Sequence, residues 1–225
     1  MTKEKTPQGP LDVARALGLV TRSLNEQRQG ERVVVASRSY DTAMADVWDA
    51  LTNPERIPRW FLPITGELRV GGRYQLQSNA GGEILRCAPP AELRISWEFN
   101  GDVSFVEVRL TALAPEQTRL ELQHGRSTAP NEHWDTFGPG ATGVGWDLTL
   151  YGLGLHLASG ESNDPASSMA WLGSEEGKAF CRTSSEAWGQ AHIASGTEPS
   201  VALAAAARTA AAYTGEAPPD APAPS

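Results

Sequence analysis

Two imidazoles and two carboxylates fall close together in this chain: His124, then Glu132, His133 and Asp135 around Trp134. An imidazole or carboxylate beside apolar walls has a shifted pKa and can exchange protons with a bound molecule. His124, Glu132 and His133 are therefore the candidates for general acid/base work. A divalent metal needs three or four converging ligands, and the separation of His124 from His133 matches no metal-binding pattern. Neither a metal nor another cofactor is expected. His156 reads as a helix-end histidine near the C-terminal dipole, and His192 carries no functional expectation. No GxSxG elbow, P-loop or HExxH run occurs in the sequence. Gly71-Gly72-Arg73 and Gly81-Gly82 read as turns between strands, which do not open helices and so cradle no phosphate.

A second set of residues could hold an apolar molecule without changing it. Seven tryptophans in 225 residues are many, and large side chains at inward positions decide how much of a cavity stays empty. The ligand-lining candidates are Trp60, Phe61, Tyr74, Trp97, Phe99, Phe105, Trp134, Phe137, Trp146 and Leu150. Core packing is the competing reading for each of them.

The elements that must position these groups follow from periodicity. Residues 11–28 carry Leu11, Ala14, Leu17, Val20 and Leu24 at helical spacing, so residues 1–30 are expected to hold a leader helix. Val33, Val34 and Val35 suit a first strand, and Asp41-Thr42 could cap a helix bearing Val47, Trp48 and Leu51. Pro54 and Pro58 stop that helix. From Ile64 to His124 the period becomes two, giving successive strands with short, hairpin-like connections. Residues 142–158 form a helix with two apolar stripes, Val144/Leu148/Tyr151/Leu155 and Trp146/Leu150/Leu153/Leu157, so both sides must be covered. Gly143, Gly145, Gly152 and Gly154 each cost about 1 kcal/mol there relative to Ala, which implies close approach of sheet, helix or ligand. Residues 161–214 form a helical extension docked on residues 31–160, with Ser174 opening one helix and Pro199 to Tyr213 forming another. Residues 215–225 are a Pro/Ala-rich tail.

The bulk properties exclude several classes. A net charge of -8 opposes the counterion release that drives nucleic-acid binding. No apolar run is long enough for a membrane span, and Met1 to Pro10 has no apolar signal region. A cytoplasmic protein without membrane insertion is expected. Cys87 and Cys181 are far apart in sequence and are expected to be reduced, buried thiols.

Trp48-Asp49-Ala50-Leu51-Thr52-Asn53-Pro54-Glu55-Arg56-Ile57-Pro58-Arg59-Trp60-Phe61 reads as a short helix, a proline-broken turn and an aromatic landing. With Gly71-Gly72-Arg73-Tyr74, Arg119-Leu120-Glu121-Leu122-Gln123-His124 and Gly143-Val144-Gly145-Trp146, it resembles the activator of Hsp90 ATPase homologue 1-like C-terminal domain family of the START-like (SRPBCC) superfamily. The resemblance spans about residues 31–158. It implies an α+β helix-grip fold, in which a curved antiparallel sheet of six or seven strands wraps a long C-terminal helix, with the helical extension added. It also implies a cavity for a hydrophobic or aromatic small molecule, held without catalysis. Superfamily relatives include lipid and polyketide binders, aromatases and cyclases, and a self-sacrificing antibiotic-resistance protein. A cyclase, aromatase or hydrolase using His124, Glu132 or His133 is the alternative. The eukaryotic activators carry a separate N-terminal domain that contributes to engaging the chaperone, for which the residues before Arg32 are too few. Stimulation of Hsp90 is therefore not carried over, while a protein-interaction or chaperone-associated module, including a homodimer, stays open.

Overall fold

A computed structural model describes residues 13–27, 31–127 and 132–217. The ends of the expected leader helix and most of the expected tail lie outside the described residues. Among the described residues, eight strands form one antiparallel sheet in the order β1-β2-β8-β7-β6-β5-β4-β3. They are β1 (Val20–Gln27), β2 (Glu31–Tyr40), β3 (Ile64–Gly66), β4 (Arg73–Leu76), β5 (Gly81–Ala88), β6 (Glu92–Phe99), β7 (Asp102–Ala114) and β8 (Gln117–Ser127). The helices among the described residues are α1 (Val13–Gly18), α2 (Met44–Thr52), α3 (Glu132–Phe137), α4 (Gly140–Ser159), α5 (Pro165–Gly173), α6 (Glu175–Ala194) and α7 (Pro199–Thr214), and a 3-10 turn spans Ile57–Arg59. Strand β8 returns beside β2, so the chain between them builds the five strands β3 to β7 on the far side of β8. No helix among the described residues is long and apolar enough to cross a membrane.

Three local expectations are corrected. The leader region is helical only over Val13–Gly18, and Val20–Gln27 is an edge strand registered from Val20↔Arg38 to Gln27↔Glu31. Leu17, Val20 and Leu24 satisfy a helical spacing, but Val20 and Leu24 also share one face of a strand, and pairing with β2 decides between the two periods. Gly81 and Gly82 open β5 and are not the turn before it. The turn is made at Ser78, with φ 55°, and a Cβ on Gly82 would sit 2.2 Å from the Ser96 carbonyl oxygen. Helix α2 starts after Ala43 without a side-chain cap, and the Thr42 carbonyl instead accepts the Thr118 hydroxyl at 2.8 Å.

Helix α4 lies against the sheet, and both its stripes are covered. Trp146, Leu150, Leu153 and Val144 join inward residues of β2, β7 and β8 in the main core. On the far side, Tyr151 packs with Leu17 and Phe180. The helix glycines are where neighbours come closest. A Cβ on Gly143 would stand 2.2 Å from the Trp188 ring, and one on Gly154 would stand 2.7 Å from the Arg38 guanidinium. Close packing thus accounts for both. Asp147, 1% exposed, ties three elements together. Its Oδ2 accepts from Arg22 Nε of β1 at 2.9 Å, from Ser184 Oγ at 2.5 Å and from Trp188 Nε1 of α6 at 3.1 Å.

Candidate ligand-binding site

The proline-broken motif brings Trp60 and Phe61 to the edge of the core. After α2, Trp60 ends the 3-10 turn and donates its indole N–H to the Ala50 carbonyl at 2.9 Å, which sets the ring. Phe61 stacks on it with ring centroids 5.5 Å apart. Arg56 of the same motif donates to Asp46, to Asp49 and to His156 Nε2 on α4, the last at 3.0 Å. Arginine has no acceptor, so His156 Nε2 must accept and Nδ1–H must donate to the Glu161 carbonyl at 2.7 Å. His156 lies in the last turn of α4, as its helix-end reading expects, and at 1% exposure it is also a buried tie between that helix and the turn.

Between α4 and the sheet is an inner cavity of about 150 Å³. Its walls are aliphatic and aromatic side chains, among them Trp60, Phe61, Tyr74, Trp97, Trp146 and Leu150. Polar groups there are few, and the Tyr74 hydroxyl is already donated to the Ser96 carbonyl at 2.7 Å. Burial raises the Tyr74 pKa well above its ordinary value, so the phenol stays neutral. An outer chamber of about 520 Å³ adjoins this cavity, and Phe61, Trp97, Trp146 and Thr149 line both. The outer walls add Phe99 and Trp134 with polar residues including Asn100, Ser104, His124 and His133.

A fixed aromatic cluster stands where the two spaces meet. The Trp97 and Trp146 ring centroids are 5.3 Å apart at 61°, and the His124 ring lies 5.9 Å from the first and 5.8 Å from the second. Trp146 Nε1–H donates to His124 Nδ1 at 3.0 Å. Indole is only a donor, so the imidazole proton must sit on Nε2 and point to Ser104 Oγ, 2.8 Å away. The serine hydroxyl in turn donates to the Trp97 carbonyl at 3.2 Å. The lone pair a general base would use is thus occupied by Trp146, and His124 positions the tryptophan.

The other predicted residues separate. His133 lines the outer chamber, with its ring 5.0 Å from Phe137. Glu132 is exposed on α3 and lines neither space. The three acid/base candidates therefore do not form one constellation. Phe137 lines neither space, and its carbonyl accepts the Thr209 hydroxyl at 2.8 Å. Phe105 alternates with the buried Ser104 and Val106, and the Arg94 guanidinium lies 5.4 Å over its ring. It belongs to the opposite face of the sheet, which removes it from the lining set. Sequence reasoning missed the aliphatic walls, of which Val106, Val108, Leu120 and Leu122 were readable from strand alternation. It also missed Tyr213 of α7, which lines the outer chamber and donates to the Ala141 carbonyl at 3.0 Å. No local signal in the sequence indicates that contact. Among the described residues no group of His, Cys, Asp and Glu could hold a metal ion.

A long helix gripped by a curved antiparallel sheet, with an apolar space between them, defines a helix-grip protein of the START-like class. Residues 41–158, more than half of the chain, match the family model described as Activator of Hsp90 ATPase homolog 1-like protein, and the chain belongs to that family. The crystal structure of CalU16 from Micromonospora echinospora is similar at 34% identity and TM-score 0.60, covering 76% of this chain and 97% of CalU16. Its solution structure gives TM-score 0.65 at 34% identity over 79% of this chain and 97% of CalU16. EF2215 from Enterococcus faecalis, a protein of unknown function, shares the fold at 19% identity and TM-score 0.51, covering 72% of this chain and 93% of its own. No protein of curated function matches the chain.

Proposed function

We propose that this protein binds a hydrophobic or aromatic small molecule between α4 and the sheet and releases it chemically unchanged. The observation that carries this reading is the apolar cavity of about 150 Å³ opening against a larger chamber of about 520 Å³. Preformed concave sites with apolar walls and a few placed polar groups are what small-molecule recognition requires. A non-catalytic role is supported by His124, whose nitrogens are engaged by Trp146 and Ser104, and by the separation of Glu132 from the chamber. Native and denaturing mass spectra of the purified full-length protein test the proposal, together with thermal shifts against a panel of aromatic and lipid compounds. A non-covalent adduct lost on unfolding, or stabilisation by panel members, is expected. A clean spectrum with no stabilising compound would refute it.

A further inference from the structure

The arginines that face the interior of this fold are used unequally. Arg22 is held by Asp147, Arg38 donates to the Leu150 carbonyl, and Arg56 donates to Asp46, Asp49 and His156. Arg32, half-buried on β2, is different: among the described residues its five N–H donors have no hydrogen-bond partner, and no carboxylate stands within ion-pair distance of it. Strand alternation sets its direction, because Val34 and Ala36 of the same strand belong to the main core and Arg32 shares their face. It thereby reaches the outer chamber, whose wall it forms together with Trp134. Its guanidinium carbon lies 5.3 Å from the centroid of the Trp134 ring, and that ring is backed on α6 by His192, with centroids 6.1 Å apart. The tryptophan thus covers one side of the guanidinium and holds the charge at the wall. Asp102 brings the opposing charge to the lining and forms no ion pair with Arg32.

Resting on the binding reading above, we infer that the ligand carries one carboxylate, which Arg32 receives at the wall of the outer chamber through paired N–H···O hydrogen bonds while Trp134 supports the guanidinium from behind. A planar guanidinium with its donors unbonded has the geometry for a two-oxygen acceptor. A dianionic phosphate would leave its second charge facing Asp102, so a single negative charge fits better. Arg32 is then the residue that selects an acid over its neutral analogue. The net charge of -8 works against unspecific uptake of anions, so a preference for an acid has to come from a local cation.

The test uses matched pairs of probes on the full-length protein, each pair sharing one apolar body: 2-naphthoic acid and 2-naphthamide, biphenyl-4-carboxylic acid and its amide, octanoic acid and octanamide. In calorimetric titrations at neutral pH and low salt, an acid that binds should do so about tenfold or more tighter than its amide, as expected for a charge-assisted pair. Raising the salt should narrow that gap. Arg32→Gln should bring the acid down to the affinity of its amide while leaving the amide within about twofold, and Arg32→Lys should keep part of the preference, since an ammonium supplies charge without the paired donors. An amide as tight as its acid in the wild type, or a preference for the acid that survives Arg32→Gln, overturns the carboxylate subsite and leaves the binding reading standing. The wild-type comparison decides by itself should the glutamine variant fail to fold. Binding of no member of any pair overturns the subsite, and failure of the aromatic and lipid panel as well overturns both.

Discussion

At the residue scale, His124 and His156 each hold a side chain of another element in place. His124 was legible as a histidine near apolar walls, but its partner was not. Trp146 lies 22 residues away on another element, and only the fold brings its indole to Nδ1. Phe105 alternates with Val106 and shares its face with Glu107 and Arg109, so its strand already pointed it outward, and its size alone brought it into the candidate list. Two outcomes follow for binding of the reporter dye anilinonaphthalene sulfonate, read by fluorescence titration. Trp146→Ala should weaken it more than about tenfold, whereas Phe105→Ala should change it less than about twofold; the opposite order would show that the dye does not bind where the structure places the cavity. His192 gives a pH signature. Burial and then the neighbouring Arg32 hold its imidazole below the ordinary value of 6.5, and its buried Nδ1 has no hydrogen-bond partner among the described residues. The unfolded chain therefore takes up this proton first as pH falls. The group's contribution to stability is complete above about pH 6.5 and is lost as pH falls through the depressed folded value. Melting temperatures recorded across this range should fall less steeply for His192→Gln than for the wild type, and parallel curves would contradict the assignment.

At the element scale, period and punctuation carried most of the fold. Alternation over β4 to β8, the two stripes of α4, and Ser174 before α6, where its hydroxyl accepts from Gly177 N at 3.2 Å, are all local signals. Three elements escaped, the short helix α3 among them. Strand β1 was hidden because its inward residues also fit a helix. Helix α5 was marked only by Asp164-Pro165, where the Asp164 carboxylate caps Ser167 N at 2.8 Å, with no buried residue to give it a period. The helix glycines were legible as places of close approach, but the neighbour's identity was not, since Trp188 is distant in sequence. Gly143→Ala should destabilise the protein by about 2–3 kcal/mol or more, because the new methyl meets a fully buried indole. Asp147→Ala should cost about 3–5 kcal/mol by leaving Arg22 buried without its carboxylate. Urea denaturation measures both; unchanged midpoints would mean that α6 is not held against α4 as described.

At the scale of the whole molecule, α5 to α7 cover the side of α4 that the sheet leaves bare, and α7 supplies Tyr213 to the outer chamber. Arg208 and Thr209 of the same helix donate to the Thr136 and Phe137 carbonyls at the end of α3, each at 2.8 Å. The extension is thereby built into the site wall as well as into the core. Ending the chain after Gly160 should therefore lose cooperative folding, seen as loss of a sharp thermal transition, and a truncated protein melting like the full chain would show the extension to be dispensable.

The central claim, that a small molecule sits between the gripping helix and the sheet, is tested most directly by the indole N–H resonances of isotope-labelled protein titrated with benzene and an aromatic panel. Trp97 and Trp146 should shift with saturable curves, while Trp171 and Trp188, which line neither space, should stay in place. Static Trp97 and Trp146 resonances throughout the panel, or shifts confined to Trp171 and Trp188, would contradict it.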